Sequence, residues 1–300
     1  MKQVTKNKKV MKNLIKNGMM FLAAITLLAT SCDQINDSEN GGKGTVILTL
    51  TDAPFPVSLV DQALVTIDKI EIRMKAAEST TEEEADKPAQ YVVLFEGAEK
   101  EFDLLDLQNG VTTELLSMDI ETGSYDLIRM HVTKAEVVLK DGTNFDLKIP
   151  GGTSSGLKIK ITPDLVIESG VESEVVLDFD VSKSFVAQGN VKAKNGIKGF
   201  IFKPVLRAVC QKYSGIVAGK VFENATTPLL ETHVQIIAAD TVLSSALTDA
   251  TGAYAMIGLP AGTYKLVCEK EGYTKVTVDP VIVKAREKTI VDVPMTKTTP

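Results

Sequence analysis

The stretch "GTVILTLTD" (Gly44–Asp52) decides the fold class. Val46, Leu48 and Leu50 alternate with Thr45, Ile47 and Thr49, the period-2 pattern of a strand with one buried face. The same grammar recurs downstream. Candidate strands run over 64–74, 91–95, 101–107, 125–132, 135–139, 144–149, 157–161 and 175–181. Val65 and Ile67 share one phase while Ile70, Ile72 and Met74 share the other, so a bulge is expected near Asp68 and Lys69. Helical periodicity is almost absent. Only "NGVTTELLSM" (109–118) reads as one or two helical turns, and the acidic stretch 75–90 reads as a solvated loop. Many short strands separated by turn signals predict an all-β sandwich.

The pattern restarts near Tyr213. "SGIVAGKVFE" and "THVQIIAAD" read as strands, and "TDATGAYAMIGLPAGTYKLVCEKEGYTKVTV" runs through hairpins with turns at Gly252, Gly262 and Gly272. The expected architecture is therefore two β-sandwich domains, residues 44–210 and 213–300, each expected to fold separately. One local echo links them. "ETGSYDLI" (121–128) and "PAGTYKLV" (260–267) both place Gly-Ser/Thr-Tyr at the start of a strand, which we read as shared turn chemistry and not as a domain repeat.

Residues 1–31 are of another kind. Lys2, Lys6, Lys8, Lys9, Lys12 and Lys16 precede the apolar run "MMFLAAITLLA", which is shorter than the roughly 20 residues a membrane span needs. Small residues follow, then Cys32. This is the order of a secretory signal, and the tract resembles a bacterial lipobox, with Ala29 where Leu is commoner. The resemblance implies that Cys32 is lipidated and becomes the new N-terminus. Two or three acyl chains on one cysteine hold a protein stably, whereas one does so only marginally. Residues 32–43, polar and Gly/Asn-rich, read as a flexible tether. The expected location is the cell envelope, with anchorage by the N-terminal lipid in the outer membrane of a Gram-negative bacterium. Asp33 beside the lipidated cysteine retains such proteins in the inner membrane of some bacteria.

The whole chain carries 33 Lys+Arg and 39 Asp+Glu. Removing the six signal lysines leaves 27 against 39, a net of −12. That balance argues against nucleic-acid binding and against docking on anionic lipid through a basic patch. Cys210 and Cys268 remain, in different predicted domains, and both read as buried free thiols. No Cys/His spacing of a zinc type occurs, and no cofactor is expected.

Several separated motifs carry a family resemblance: "LTLTDAP" (48–54), "FDLLDLQNG" (102–110), "GSYDLIRMHV" (123–132), "IPGGTSSGLKI" (149–159), "VVLDFDVSKSFV" (175–186) and "FKPVLRAV" (202–209). By these the region from Gly44 to about Val209 resembles the bacterial lipoprotein domains of domain of unknown function 4382. That implies a β-rich exported domain and no particular activity. From Tyr213 onward, the G-x-V-x-G-x-V of Gly215 to Val221 and the segment 248–273 resemble a carboxypeptidase regulatory-like domain of the prealbumin-like sandwich type.

Five features of the sequence bear on chemistry. "GTSSG" (152–156) matches G-x-S-x-G with Ser154 as nominal nucleophile, but a nucleophile elbow needs a strand before it and a helix after it, and "LKIKIT" follows as a strand. Asp178 and Asp180 in "LDFDVSKS" lie on one strand face and form the leading candidate for a metal or acid–base site. Salt bridges to residues such as Lys158 or Lys160 are the reading favoured over it. "KDGTNFD" is first a hairpin turn, and His131 reads as a packed or half-exposed strand histidine and not as a ligand. Lys220 lies where related surface modules place an isopeptide lysine, but the last strand offers Asp292 and no Asn. The expected function is a non-enzymatic, lipid-anchored envelope protein whose sandwiches serve binding, adhesion or assembly with an envelope protein or glycan. The alternatives are a glycan-binding accessory lipoprotein of an uptake system, which exposed aromatics would favour, and a hydrolase, which a cleft bringing His131 to a serine or carboxylate would favour.

Overall fold

The computed structural model describes residues 42–298, apart from 54–58, 76–89, 152–154, 191–195 and 225–226. The first sandwich contains β1 (Lys43–Ala53), β2 (Val60–Met74), β3 (Tyr91–Asp103), β4 (Thr113–Glu121), β5 (Gly123–Leu139), β6 (Asn144–Asp146), β7 (Leu157–Ile167), β8 (Glu172–Asp180), β9 (Phe185–Gly189), β10 (Ile197–Phe202) and β11 (Leu206–Cys210). Its main sheet has the order β3-β2-β5-β7-β11-β8-β1-β4, with β6 paired to β5, while β9 and β10 form a separate two-stranded sheet. Val46, Leu48 and Leu50 are fully buried, as the alternation of β1 requires. With Ile72, Tyr125, Ile161, Leu177 and Phe179 they build the first core.

The second sandwich contains β12 (Ser214–Asn224), β13 (Thr227–Pro228), β14 (His233–Ala238), β15 (Thr241–Leu247), β16 (Ala253–Pro260), β17 (Gly262–Glu269), β18 (Val276–Val283), β19 (Lys288–Ile290) and β20 (Val293–Pro294). One sheet is β13-β12-β16, with β19 and β20 also on β12; the other is β15-β14-β17-β18. Val217, Val221, Ile236, Tyr254, Leu266 and Met295 belong to its own core. Gly215 and Gly219 allow the returning chain to approach: a Cβ on Gly219 would strike the carbonyl of Val291, and one on Gly215 the carbonyl of Lys284. That close approach is the physical content of the G-x-V-x-G-x-V pattern.

The expected bulge is present, because the register of β2 shifts between Ile67 and Lys69 against both β3 and β5. Three local expectations need correction. Residues 109–118 are not helical: Asn109 and Gly110 turn with positive φ, and β4 then pairs antiparallel with β1. Pairing with a buried strand overrides the helix propensity of "TELLSM". The predicted strands 125–132 and 135–139 are one strand, β5, and the segments 91–95 and 101–103 are joined within β3. The last part of 101–107 is instead a 3-10 turn over Leu104–Leu107 that Asp103 caps by accepting from the Leu105 N–H at 3.1 Å. Cys210 and Cys268 are both free and buried in different cores, and burial pushes their thiols up to about 11 and about 12. Among the described residues, no helix is long and apolar enough to cross a membrane.

Candidate functional site

Cys32 and Ser154, two positions singled out by sequence, lie outside the described residues. Asp178 and Asp180 lie at the end of β8, whose last six residues are all buried. Even-numbered positions of β8 face away from the first core, so burial there means that something covers the outer face. Asp178 is salt-bridged to Arg207 of β11, its cross-strand partner. The expected partners, Lys158 and Lys160, are on β7, and β11 stands between β7 and β8, so they cannot reach. Burial pushes the Asp178 carboxyl up, and the Arg207 guanidinium pulls against it.

Asp180 turns instead to the chain that follows. It caps the short helix α1 (Val181–Ser184): its Oδ1 accepts from the Lys183 N–H at 3.0 Å and from the Ser182 hydroxyl at 2.7 Å. Its Oδ2 lies 2.7 Å from Lys183 Nζ. Asp52, at the parallel-paired end of β1, accepts from the Val181 N–H at 3.1 Å. Each carboxylate of the candidate pair thus carries a cationic or N–H partner. Among the described residues, no three His, Cys, Asp or Glu side chains are gathered as a metal site.

The cover on β8 is the second sandwich. Val176 and Val209 are cross-strand partners that belong to neither core, yet both are buried. Gly258 of β16 sits against Val176, leaving 3.6 Å between an added Cβ and Val176 Cγ1. Lys183 Nζ donates to the Val242 carbonyl of β15 at 3.3 Å. The Ala261 N–H donates at 3.0 Å to the carbonyl of Tyr213, the residue at which the chain passes from one sandwich to the other. His233 of β14 is drawn into this junction. Burial holds its imidazole below the ordinary value, against the opposing charges of Glu269 and Asp180. Beside the junction runs a groove of 460 Å³, lined in part by Gly110, Glu174, Gln211, Ile257 and Arg286.

A second polar array occupies the face of β2 and β5. Lys69 Nζ lies 3.3 Å from Glu71 and 3.4 Å from Glu96, Arg129 Nη1 lies 3.3 Å from Glu71, and His131 Nε2 lies 3.5 Å from Glu71. Arg129 also stacks on the Tyr91 ring at 3.8 Å. Burial pushes the Glu71 carboxyl up, but Lys69, with Arg129 and His131, outweighs it and holds the group below the usual range. Gly156, the last residue of "GTSSG", lies on this array: a Cβ there would come within 2.7 Å of Arg129 Cγ and 3.1 Å of His131 Cδ2. β7 begins at the next residue, so a strand and not a helix follows the motif. Sequence reading passed over this array. Its signal is the odd-numbered phase Lys69-Glu71-Arg73, which opposes the apolar phase of Ile70 and Ile72.

Asp292 accepts from the backbone N–H of Lys220 at 2.8 Å, so its carboxylate stands in for a strand-pairing carbonyl. Tyr254 and Tyr264 are buried, donating to the carbonyls of Val291 and Pro260 at 2.6 and 2.7 Å.

Residues 43–204 match the family model described as Domain of unknown function (DUF4382), and residues 216–296 match the Carboxypeptidase regulatory-like domain. No curated protein matches the chain. Among solved structures, the Bacillus anthracis TIE protein is 12% identical with a TM-score of 0.26, and the match covers 86% of this chain and 34% of that one. The shaft pilin SpaA from Lactobacillus rhamnosus GG is 10% identical with a TM-score of 0.27, covering 86% and 99%. The minor pilin GBS52 of Streptococcus agalactiae is 10% identical with a TM-score of 0.24, covering 85% and 97%. The chain spans about a third of the TIE protein, and likenesses at these scores carry no argument. The match over 43–204 takes in more than half of the chain, and the protein belongs to the DUF4382 family, with a carboxypeptidase regulatory-like domain following the family domain.

Proposed function

We propose that the protein is a non-enzymatic envelope protein, held by lipid on Cys32, that presents its two sandwiches for binding, adhesion or assembly with an envelope protein or glycan. The sequence around Cys32 supports the anchor, and we place it in the outer membrane. The observation that carries the non-enzymatic reading is the state of the carboxylates best placed for chemistry. Asp178 is committed to Arg207, Asp180 to a helix cap and Lys183, and Glu71 to Lys69 and Arg129. A carboxylate whose oxygens are already engaged by fixed neighbours is poorly placed to take a substrate's proton as a general base. The groove beside Arg286 is the concave surface we assign to ligand contact.

A hydrolase is the second reading, and one contact favours it: His131 Nε2 lies 3.5 Å from Glu71, with Gly156, the last residue of the G-x-S-x-G motif, against the ring. Screening the full chain on ester, peptide and glycoside substrates separates the two. We expect no turnover. A turnover that disappears in His131→Gln would overturn the non-enzymatic reading.

A further inference from the structure

The charge of this chain is unevenly distributed. Residues 181–212 hold seven basic residues (Lys183, Lys192, Lys194, Lys198, Lys203, Arg207 and Lys212) and no acidic one. The chain from Cys32 onward is −12, so everything outside that stretch sums to −19. Lys183, Arg207 and Lys212 are spent on Asp180, Asp178 and Glu168. Lys198 and Lys203 are exposed, and their ammonium groups make no ion pair among the described residues.

These two lysines belong to the β9–β10 hairpin and its exit. The inner face of the hairpin is fixed: Phe185 and Phe202 pack with ring centroids 5.0 Å apart, and Phe200 meets Phe145 at 5.6 Å. The outer face is apolar where it should be polar. Val186 and Ile201 are direct cross-strand partners, 40% and 41% exposed, and Val205 just beyond is 41% exposed. The paired strands β9 and β10 therefore present aliphatic side chains flanked by Lys198 and Lys203.

We propose that this outer face of β9 and β10, with Lys198, Lys203 and Val205, docks on an anionic lipid bilayer surface. The composition selects the occupant. Protein hot spots favour Trp, Tyr and Arg, and single-stranded nucleic acid is held by aromatic stacking. Aliphatic groups ringed by lysine match the bilayer interface, where apolar side chains enter the headgroup boundary and cations meet lipid phosphates. Position adds a consequence. β1 and β8 run parallel, from Thr45 beside Glu172 to Ala53 beside Asp180, so the hairpin lies at the opposite end of β1 from residue 43. Eleven residues of strand separate the two ends by roughly 35 Å. With a lipid on Cys32 as well, two contacts this far apart lay β1 along the membrane. Docking of the hairpin does not itself require acylation.

The test uses the full chain carrying Cys32→Ser and a single new thiol at Ile201→Cys, labelled with a polarity-sensitive fluorophore. The two native thiols left are buried and stay unlabelled. Vesicles of phosphatidylcholine alone are compared with vesicles containing phosphatidylglycerol, and a label at Ile282→Cys serves as the control position. We expect a blue shift at position 201 with the anionic vesicles only, and none at 282. Each lysine near an anionic surface raises partitioning about fivefold, so Lys198→Glu with Lys203→Glu should weaken it at least about 25-fold. No shift at 201 would overturn the proposal. So would an equal shift with neutral vesicles, or one that the lysine variants leave unchanged.

Discussion

Arg207 donates through Nη2 to Oδ2 of Asp178, its neighbour across β11 and β8, on the sheet face that the second sandwich covers. The side chains are 21% and 8% exposed. Breaking such a pair from one side is costly because the remaining charge stays buried. Arg207→Met should therefore lower the stability of the full chain by about 3–5 kcal/mol in urea unfolding. Adding Asp178→Leu should recover most of the loss. A double variant no better than the single would show that packing, and not the stranded carboxylate, sets the cost.

Each sandwich has its own core, but Val176 and Val209 are buried only where the two meet. Residues 213–300 expressed alone should unfold cooperatively with heat. Residues 44–210 alone should expose the apolar outer face of β8 and β11, and so bind more of a hydrophobic dye than the intact chain. A second sandwich without a cooperative transition would remove the case for separate folding.

The junction also carries a pH dependence. Burial lowers the pKa of His233 below its ordinary value of 6.5, so the unfolded chain takes up the proton first. The stability tied to the neutral imidazole is complete above 6.5 and is lost as pH falls through the folded value. The melting temperature should thus decline below 6.5, before the carboxylates titrate near about 4. His233→Gln should flatten that decline. An identical pH profile in wild type and variant would remove His233 as the cause.

Tyr125 and Tyr264 do the same work in the two sandwiches. Each follows a glycine by two residues, starts a strand, and donates its hydroxyl to the carbonyl four residues back, Glu121 at 2.9 Å and Pro260 at 2.7 Å. Phe at either position should cost about 1 kcal/mol. Calorimetry of the two single variants checks this, and a change below a few tenths at both would show that the bond adds nothing over water.

That shared corner was readable in advance, because it is written in adjacent residues. So were the alternation of β1, the bulge at Ile67–Lys69 and the glycines at 215 and 219, each a local rule of sterics or period. What could not be read depends on who lies beside whom. The strand at Thr113–Glu121 wears good helix formers and is held extended by β1. Asp178 was offered lysines of β7 because the sequence does not show that β11 inserts between β7 and β8. The burial of Val176 and Asp178 on an outer face comes from a second domain that begins tens of residues later. The Glu71 array needs three strands in register before its charges meet.

The central claim is that the protein is held in the envelope by lipid on Cys32. Mass spectrometry of the N-terminal peptide from the membrane-purified protein tests it most directly. The account predicts a chain cut before Cys32, with Cys32 as first residue and its mass raised by a diacylglyceryl group and, where the host adds one, a further acyl chain. A mature chain that begins elsewhere, or that carries Cys32 as an unmodified thiol, would contradict it.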